Sequence, residues 1–150
     1  MLDQASKYVV ISKLAYLDEV PVNAFFSWVR WHNEGAAFSM LADAGEWKHY
    51  FFVSLAVFFV CFIVWELRRL PVQQKLMGFV YGLILGGALG NLIDRFAHGH
   101  VVDFILVHYQ SSYFPAFNLA DSALFLGASL WLWLLWQEWR ESRDQVAPDV

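Results

Sequence analysis

The chain has 150 residues, of which 59% are hydrophobic and 19% aromatic, while only 16% carry a charge. Its mean hydropathy of +0.43 is too high for an ordinary soluble domain of this length. The net charge of −4 leaves no basic patch for nucleic acid, and the one cysteine, Cys61, permits no internal disulfide. These values favour a single integral-membrane domain over residues 1–150.

Residues 1–19 begin without a signal peptide, because Met1 is followed at once by Leu2 and Asp3, with no basic start and no apolar core. Basic residues further along the chain place residues 1–49 outside the cytoplasm, and this topology requires an even number of membrane spans. We therefore expect that a first transmembrane helix is absent from this sequence, and that residues 1–19 are its remnant and a link.

Residues 20–49 leave helical periodicity and are expected to form a small extracytoplasmic β or loop element. The stretch NAFFSWVRWHNEG is rich in aromatic and β-branched residues and ends in a turn signal at Asn33, Glu34 and Gly35, which favours a short hairpin. Tryptophan and phenylalanine also suit a membrane interface, so interfacial anchoring alone explains this composition equally well.

Three apolar runs predict transmembrane helices, because each is close to the roughly 17 to 25 residues that cross a hydrocarbon core. The predicted helices cover residues 50–67, 76–95 and 118–137. Each run is apolar on all sides, which argues against the alternative of buried helices in a soluble protein.

Basic residues at the ends of these runs set the predicted orientation. Five of them flank the spans on one side: Arg68, Arg69, Lys75, Arg140 and Arg143. By the positive-inside rule that side is cytoplasmic, together with a tail at residues 138–150. Residues 94–121 then lie outside the cytoplasm.

Glycines recur at every fourth position of the second predicted helix, at 78, 82, 86 and 90. Such a row predicts close packing of a neighbouring membrane helix. The same spacing reaches Asp94, and a parallel row ends in Asn91 and Arg95. We expect Arg95 to keep Asp94 charged, and we favour a structural clamp over direct chemistry for this pair.

A helix-start signal precedes the third predicted helix. Pro115 disfavours helix before it, and Asn118 followed three residues later by Asp121 has the spacing of a capping pair. Capping alone would therefore explain why Asp121 is present.

Asp103 and Asp121 form a candidate catalytic pair. Two carboxylates that share one proton can activate water and protonate a carbonyl oxygen or leaving amine, which is peptide hydrolysis without a covalent intermediate. The start of a helix favours the ionised form of Asp121, whereas the apolar context VVDFILV favours the protonated form of Asp103. We therefore assign the shared proton to Asp103, although the titration belongs to the pair.

Three histidines invite a metal hypothesis, since His98, His100 and His108 lie close to Asp103 in sequence. Histidine and aspartate are ordinary zinc ligands, but no HExxH or paired-cysteine spacing accompanies them. An interfacial or solvated role is the better interpretation, and we predict no metal site.

Two other functions are open from the residues alone. The chain could be a transporter or channel subunit whose carboxylates relay protons or cations, or an assembly protein that uses its glycine row for helix contacts. Transport favours carboxylates in the middle of spans or inverted repeats, whereas here they gather at one end.

Five polar blocks in order resemble those of the lipoprotein signal peptidase family, the type II signal peptidases of bacteria. The blocks are DQASK at 3–7, NEGAAF at 33–38, GGALGNLIDR at 86–95, VVDF at 101–104 and FNLAD at 117–121. The resemblance implies a multi-pass aspartyl protease of the bacterial cytoplasmic (inner) membrane. Such an enzyme removes the signal peptide of a prolipoprotein just before a cysteine that carries a diacylglyceryl group.

The resemblance also implies a fold and a set of site residues. The fold is an all-α membrane protein with a small extracytoplasmic β element, a four-helix transmembrane bundle whose first helix is truncated here. Asp103 and Asp121 would be catalytic. The positions expected to bind substrate or brace the site are Asp3, Lys7, Asn33, Gly35, Asn91, Asp94, Arg95 and Asn118. No cofactor is implied, and the expected partners of a monomer are a lipid-modified prolipoprotein and membrane lipids.

Overall fold

A computed structural model describes residues 1–35 and 47–146 of the chain. Within these residues the chain forms four helices and four strands. In chain order they are α1 (Leu2–Lys13), β1 (Glu19–Asn23), β2 (Phe26–Asn33), α2 (Trp47–Arg69), α3 (Lys75–His98), β3 (Val101–Tyr109), β4 (Ser112–Tyr113) and α4 (Leu119–Val146). The middle of the predicted 20–49 element and the last four residues of the predicted tail lie outside the described residues.

Three of these helices are long and apolar enough to cross a membrane, and they coincide with the three predicted apolar runs. They cover His49–Arg69, Lys75–His98 and Leu119–Asp144, with mean hydropathies of 2.3, 1.8 and 1.5. Helices α2 and α3 extend beyond both predicted ends, whereas α4 begins one residue later than predicted and continues through residues 138–146, where the sequence predicted a tail.

Helix α3 lies between α2 and α4 and packs against both. The described residues of α2 and α4 have no Cα atoms within 8 Å of each other, so a groove separates the two outer helices. Gly99 ends α3 in the left-handed conformation, with φ of 77°, and its N–H donates to the carbonyl of Arg95 at 3.0 Å. This glycine cap turns the chain directly from α3 into β3.

The glycine row predicted on α3 is only partly a packing surface. A Cβ added at Gly90 would meet Asp3 and Ala120, whereas Gly82 and Gly86 have no neighbour within 4 Å of that position. The close contact between α3 and α4 instead depends on Gly87, which faces Leu124 and the Ala120 backbone. A second close contact joins Gly127 of α4 to Ile84 of α3.

The strands form one antiparallel sheet in the order β1, β2, β3, β4, which confirms the small β element. The sequence predicted a short hairpin in this region with a turn signal at residues 33–35, whereas the turn between β1 and β2 lies at residues 24–25. Strand β3 was not predicted, because its sequence was treated only as the apolar surroundings of Asp103. In the β2–β3 register, Trp31 faces Asp103 and Asn33 faces Val101. The sheet therefore brings Asn33 and Asp103 to the same end of adjacent strands.

Helix α1 differs from the three apolar helices in what it buries. Its two buried residues, Asp3 and Lys7, are both charged. Arg30 of β2 holds the other end of this helix, because its guanidinium donates to the carbonyl of Leu14 at 2.9 Å. Charged side chains that face the interior need polar partners, and the partners of Asp3 and Lys7 lie on α3 and α4.

Candidate active site

Asp103 lies in the middle of the buried part of β3, where its residue is 3% exposed. Its Oδ2 accepts a hydrogen bond from Nδ2 of Asn33 at 3.0 Å, and its Oδ1 accepts one from Nδ2 of Asn118 at 2.8 Å. The side-chain carbonyl of Asn33 accepts the N–H of Gly35 at 2.8 Å, so its NH₂ group points at the carboxylate. Both oxygens of Asp103 are therefore held by amide donors.

Asp121 occupies the first turn of α4 and completes the predicted capping pair. The N–H of Asp121 donates to Oδ1 of Asn118 at 2.9 Å, and the N–H of Asn118 donates back to Oδ2 of Asp121 at 3.1 Å. The remaining oxygen, Oδ1, accepts Nδ2 of Asn91 at 2.6 Å. The capping role and the candidate catalytic role of Asp121 thus coexist in one side chain.

Asn118 connects the two aspartates and is fully buried. Its carbonyl oxygen accepts from the backbone of Asp121, and this fixes its NH₂ group toward Asp103. The preceding residue, Phe117, exchanges backbone hydrogen bonds with Ile105 at 2.9 and 3.0 Å. This bridge places the start of α4 beside β3 and sets the position of Asn118 between the carboxylates.

The side chain of Asn91, on α3, is oriented by the same kind of contacts as that of Asn118. Its Oδ1 accepts Nζ of Lys7 at 3.2 Å and Nδ2 of Asn118 at 3.2 Å, which leaves its NH₂ group to donate to Asp121. The three site asparagines therefore have their carbonyls committed elsewhere, so they present only donors to the aspartate pair. Donors stabilise negative charge on carboxylates without neutralising it.

Lys7 lies at the centre of a buried ion cluster (Lys7, Asp3 and Asp94) and is 2% exposed. Its Nζ is 2.8 Å from Oδ2 of Asp3 and 2.8 Å from Oδ2 of Asp94. Asp94 makes its ion pair with Lys7 of α1 and not with its neighbour Arg95, because tertiary packing brings the cation of α1 to it. The guanidinium of Arg95 lies 5.6 Å from the ring centroid of Phe52 and interacts electrostatically with Asp121, Asp103 and Asp94.

The ion cluster also links three elements to the site. Asp94 accepts the backbone N–H of Val102 at 3.0 Å, and Asp3 accepts that of Ala120 at 2.9 Å. Val102 and Ala120 each precede one of the candidate catalytic aspartates, so the cluster fixes the backbone beside both.

Sequence reasoning missed Gln4, whose Nε2 donates to Oδ1 of Asp94 at 2.7 Å and to the carbonyl of Gly90 at 3.0 Å. The residue stands inside the DQASK block. The sequence offers one signal for this residue: Gln4 stands between the charged residues Asp3 and Lys7 of the block.

Burial, followed by the negative charge of Asp121, raises the pKa of Asp103 from 3.8 to about 7. The donors of Asn33 and Asn118 act in the opposite direction, as does the positive charge of Lys7. Desolvation disfavours the charged form of a carboxyl group, and a second carboxylate nearby adds to the effect. Asp103 can therefore hold a proton near neutral pH, as its apolar sequence context predicts.

A groove of about 470 Å³ leads from Asp121 between α2, α3 and α4. Its polar end is formed by Asn91, Arg95 and Asp121. The remaining walls are apolar and are lined by Phe52, Leu55, Ala56, Phe59, Phe62, Ile63, Ile84, Ala88, Leu124, Ala128 and Trp131. We call this space the apolar groove, and its shape suits an apolar chain whose polar end lies at the aspartate pair.

The histidines do not surround Asp103. His32 of β2 stacks on His100 with ring centroids 3.7 Å apart, and His108 lies 3.0 Å from Oγ of Ser27. In residues 1–35 and 47–146, no group of three or more histidine, cysteine, aspartate or glutamate side chains is placed to hold a metal ion. Burial lowers the pKa of both His32 and His100.

Known proteins resemble the chain over most of its length. Residues 1–137 match the model of a family described as signal peptidase (SPase) II. A lipoprotein signal peptidase from Acinetobacter baumannii is 53% identical over 132 residues, which cover 88% of this chain and 75% of that protein. One from Pseudoalteromonas translucida is 46% identical over 132 residues, with coverage of 88% and 80%.

A solved structure shares the fold. A bacterial membrane enzyme determined by the in meso method at 2.3 Å resolution aligns with a TM-score of 0.80 and 29% sequence identity. The alignment covers 99% of this chain and 87% of the other.

Proposed function

We propose that this chain, which belongs to the signal peptidase II family, is an aspartic endopeptidase with Asp103 and Asp121 as its catalytic residues. The chain is a bacterial membrane protease that cleaves the signal peptides of lipoproteins. The observation that carries the aspartic mechanism is Asn118, whose backbone and side chain bind both carboxylates at once.

The arrangement supports a water-based reaction. Asp121 in its ionised form accepts a proton from a water molecule, and the resulting hydroxide attacks the carbonyl carbon of the scissile peptide bond. Asp103 donates its proton to the carbonyl oxygen. When the tetrahedral intermediate breaks, the proton held by Asp121 passes to the leaving nitrogen, and Asp103 recovers its proton from the intermediate. The raised pKa of Asp103 supports its role as the acid.

The hydrogen-bond donors around Asp103 and Asp121 support the same assignment of acid and base. Asn91 and the N–H of Asn118 donate to Asp121, and no lysine, arginine or histidine nitrogen of the described residues lies within 4.0 Å of either catalytic carboxylate. A cation at that distance would hold both carboxylates ionised, whereas amide donors leave one proton available to the pair.

The apolar groove supports a signal peptide as the substrate. It reaches Asp121 at one end and is otherwise walled by aromatic and aliphatic side chains. A signal peptide has an apolar segment before its cleavage site, and that segment occupies the groove while the scissile bond lies at the aspartate pair.

The proposed topology places the aspartate pair on the extracytoplasmic side of the bacterial inner membrane. Arg69 ends α2 and Lys75 begins α3, at the end of the helices opposite to Asp94 and Asp121. Under the positive-inside rule that basic end is cytoplasmic, as is the C-terminus. We propose a single peptidase domain that acts as a monomer, with α1 to α4 as its helical bundle and the sheet outside the cytoplasm. Truncation of the first helix stays a prediction.

No observation favours a transporter. In the described part of the chain, Asp3, Asp94, Asp103 and Asp121 gather at one end of the helices, and three of them bind backbone N–H groups.

Incubation of the purified protein with a diacylglyceryl-modified prolipoprotein tests the proposal. Mass spectrometry should detect the released signal peptide and a product that begins at the lipidated cysteine. Asp103→Asn and Asp121→Asn variants should each abolish release, whereas Asp144→Asn, at an exposed position of α4, should cleave normally. Full activity in either catalytic variant would exclude the aspartate pair.

A further inference from the structure

A polar cluster lies beyond the far end of the apolar groove, away from Asp121. The hydroxyl of Tyr81 donates to Oε2 of Glu66 at 3.3 Å, and Tyr81 is 6% exposed. Glu66 follows Ile63 of the groove wall by one helical turn, and Trp131, which also lines the groove, interacts with the same hydroxyl. Ile63 and Trp131 of the groove wall therefore lie next to this cluster, and the groove itself leads from there to Asp121.

Glu66 carries a charge that the site chemistry described above does not use. It lies within the apolar span of α2, where an ionisable side chain is costly and usually functional. Among the residues that the structure describes, no lysine, arginine or histidine nitrogen lies within 4.0 Å of its carboxylate. Its basic neighbours Arg68 and Arg69 are exposed, and Arg69 stacks over Trp65 at 3.8 Å.

A second acidic residue acts on the same hydroxyl, at an end of the helices that also carries the basic residues Arg68, Arg69 and Lys75. Glu138 of α4 acts electrostatically on the Tyr81 hydroxyl, as Glu66 does. Glu66 and Glu138 are thus the carboxylates nearest the far end of the groove, and a positively charged group that arrives along the apolar path meets them there.

The distance between the two ends matches the layout of a signal peptide. Tyr81 precedes Arg95 by fourteen residues of α3, which corresponds to about 21 Å along a helix. A signal peptide begins with a basic n-region, followed by an apolar segment of about 7 to 15 residues before the cleavage site. An apolar segment of about fourteen helical residues that starts at the aspartate pair brings its basic end to Glu66.

We propose that Glu66, oriented by Tyr81, binds the basic n-region of the substrate's signal peptide and thereby selects substrates, an inference that rests on the function proposed above. The site takes a lysine or arginine side chain. A purely structural role for Glu66, as the acceptor of the Tyr81 hydrogen bond, would give no dependence on substrate charge.

The test compares two diacylglyceryl-modified prolipoprotein peptides that differ only in lysine or glutamine at the n-region, in micelles of a zwitterionic lipid. The wild-type protein should show a KM about five- to tenfold lower for the lysine peptide, and Glu66→Gln should bring the two KM values within about twofold. Glu141→Gln, an exposed glutamate of α4, should keep the wild-type preference. An unchanged preference in Glu66→Gln would overturn the proposal.

A second measurement leaves Glu66 intact. A photo-crosslinking group next to the n-region lysine should label peptides of α2 and α3 that contain Glu66 or Tyr81, in the Asp121→Asn variant that retains uncleaved substrate. Labelling confined to other segments would overturn the proposal. Failure of wild-type protein to cleave either peptide would instead refute the proposed function, so the two failures are distinguishable.

Discussion

Two buried carboxylate sites lie side by side at one end of the helices and are stabilised differently. In the ion cluster, Lys7 makes contacts of 2.8 Å with both Asp3 and Asp94. In the proposed catalytic pair, Asp103 and Asp121 accept hydrogen bonds only from N–H groups of asparagine side chains and backbone. Carboxylates that hold the fold are thus paired with a cation, whereas those of the proposed catalytic pair are held by neutral donors.

The largest expected effect is a loss of activity, without a matching loss of stability, at the proposed catalytic pair. Asp103→Asn should lower kcat/KM by about a thousandfold or more, because an amide cannot donate the acid's proton. At pH 8 its free energy of unfolding should change little, because the removal of a carboxylate whose ionisation burial disfavours is offset by the new NH₂ group, which faces the donor of Asn33 or Asn118. Activity assays and unfolding followed by tryptophan fluorescence in mild detergent measure both quantities. A marked loss of stability would mean that Asp103 is a structural residue.

Lys7→Met should show the opposite pattern, because its main effect is a lower free energy of unfolding. Two buried carboxylates would remain without their cation, at a cost of about 3–5 kcal/mol in the free energy of unfolding. Lys13→Met, an exposed lysine of the same helix, is the matched control and should unfold like wild type. If both variants unfold alike, the ion cluster does not stabilise the fold.

The raised pKa of Asp103 predicts a dependence on pH. Because the acid must be protonated, kcat/KM should fall about tenfold per pH unit above about pH 7. For stability, the folded protein keeps this proton between pH 3.8 and about 7 while the unfolded chain has lost it. The free energy of unfolding should therefore decrease across that window relative to Asp103→Asn, by about 1.4 kcal/mol per pH unit, and level off above it. A flat difference between the two proteins would contradict the raised pKa.

The smallest expected effect concerns a single donor. Asn33 lowers the pKa of Asp103 through its hydrogen bond, so Asn33→Ala should move the alkaline fall in kcat/KM to higher pH, by less than about one unit. Asn23→Ala, on the exposed strand β1, is the control and should leave the profile in place. A shift to lower pH would show that Asn33 does not act as a donor to the carboxylate.

Local sequence signals predicted a large part of the fold. The apolar runs identified α2, α3 and α4, and the spacing of Asn118 and Asp121 identified the start of α4, because capping and hydropathy act between near neighbours. Strand β3 was missed, since a short apolar run such as VVDFILV does not distinguish a strand from a helix segment. Only pairing with β2 decides its structure.

By itself, the sequence determined that the chain has three membrane helices, a capped helix start and five polar blocks, because these depend on residue type and short spacing. The tertiary structure alone decided which charges meet: Asp94 pairs with Lys7 of α1 instead of its neighbour Arg95, and Asn118 joins Asp121 to Asp103. Partners in a buried site are chosen by which side chains packing brings into an apolar, desolvated space. Residues far apart in the chain can therefore displace adjacent ones.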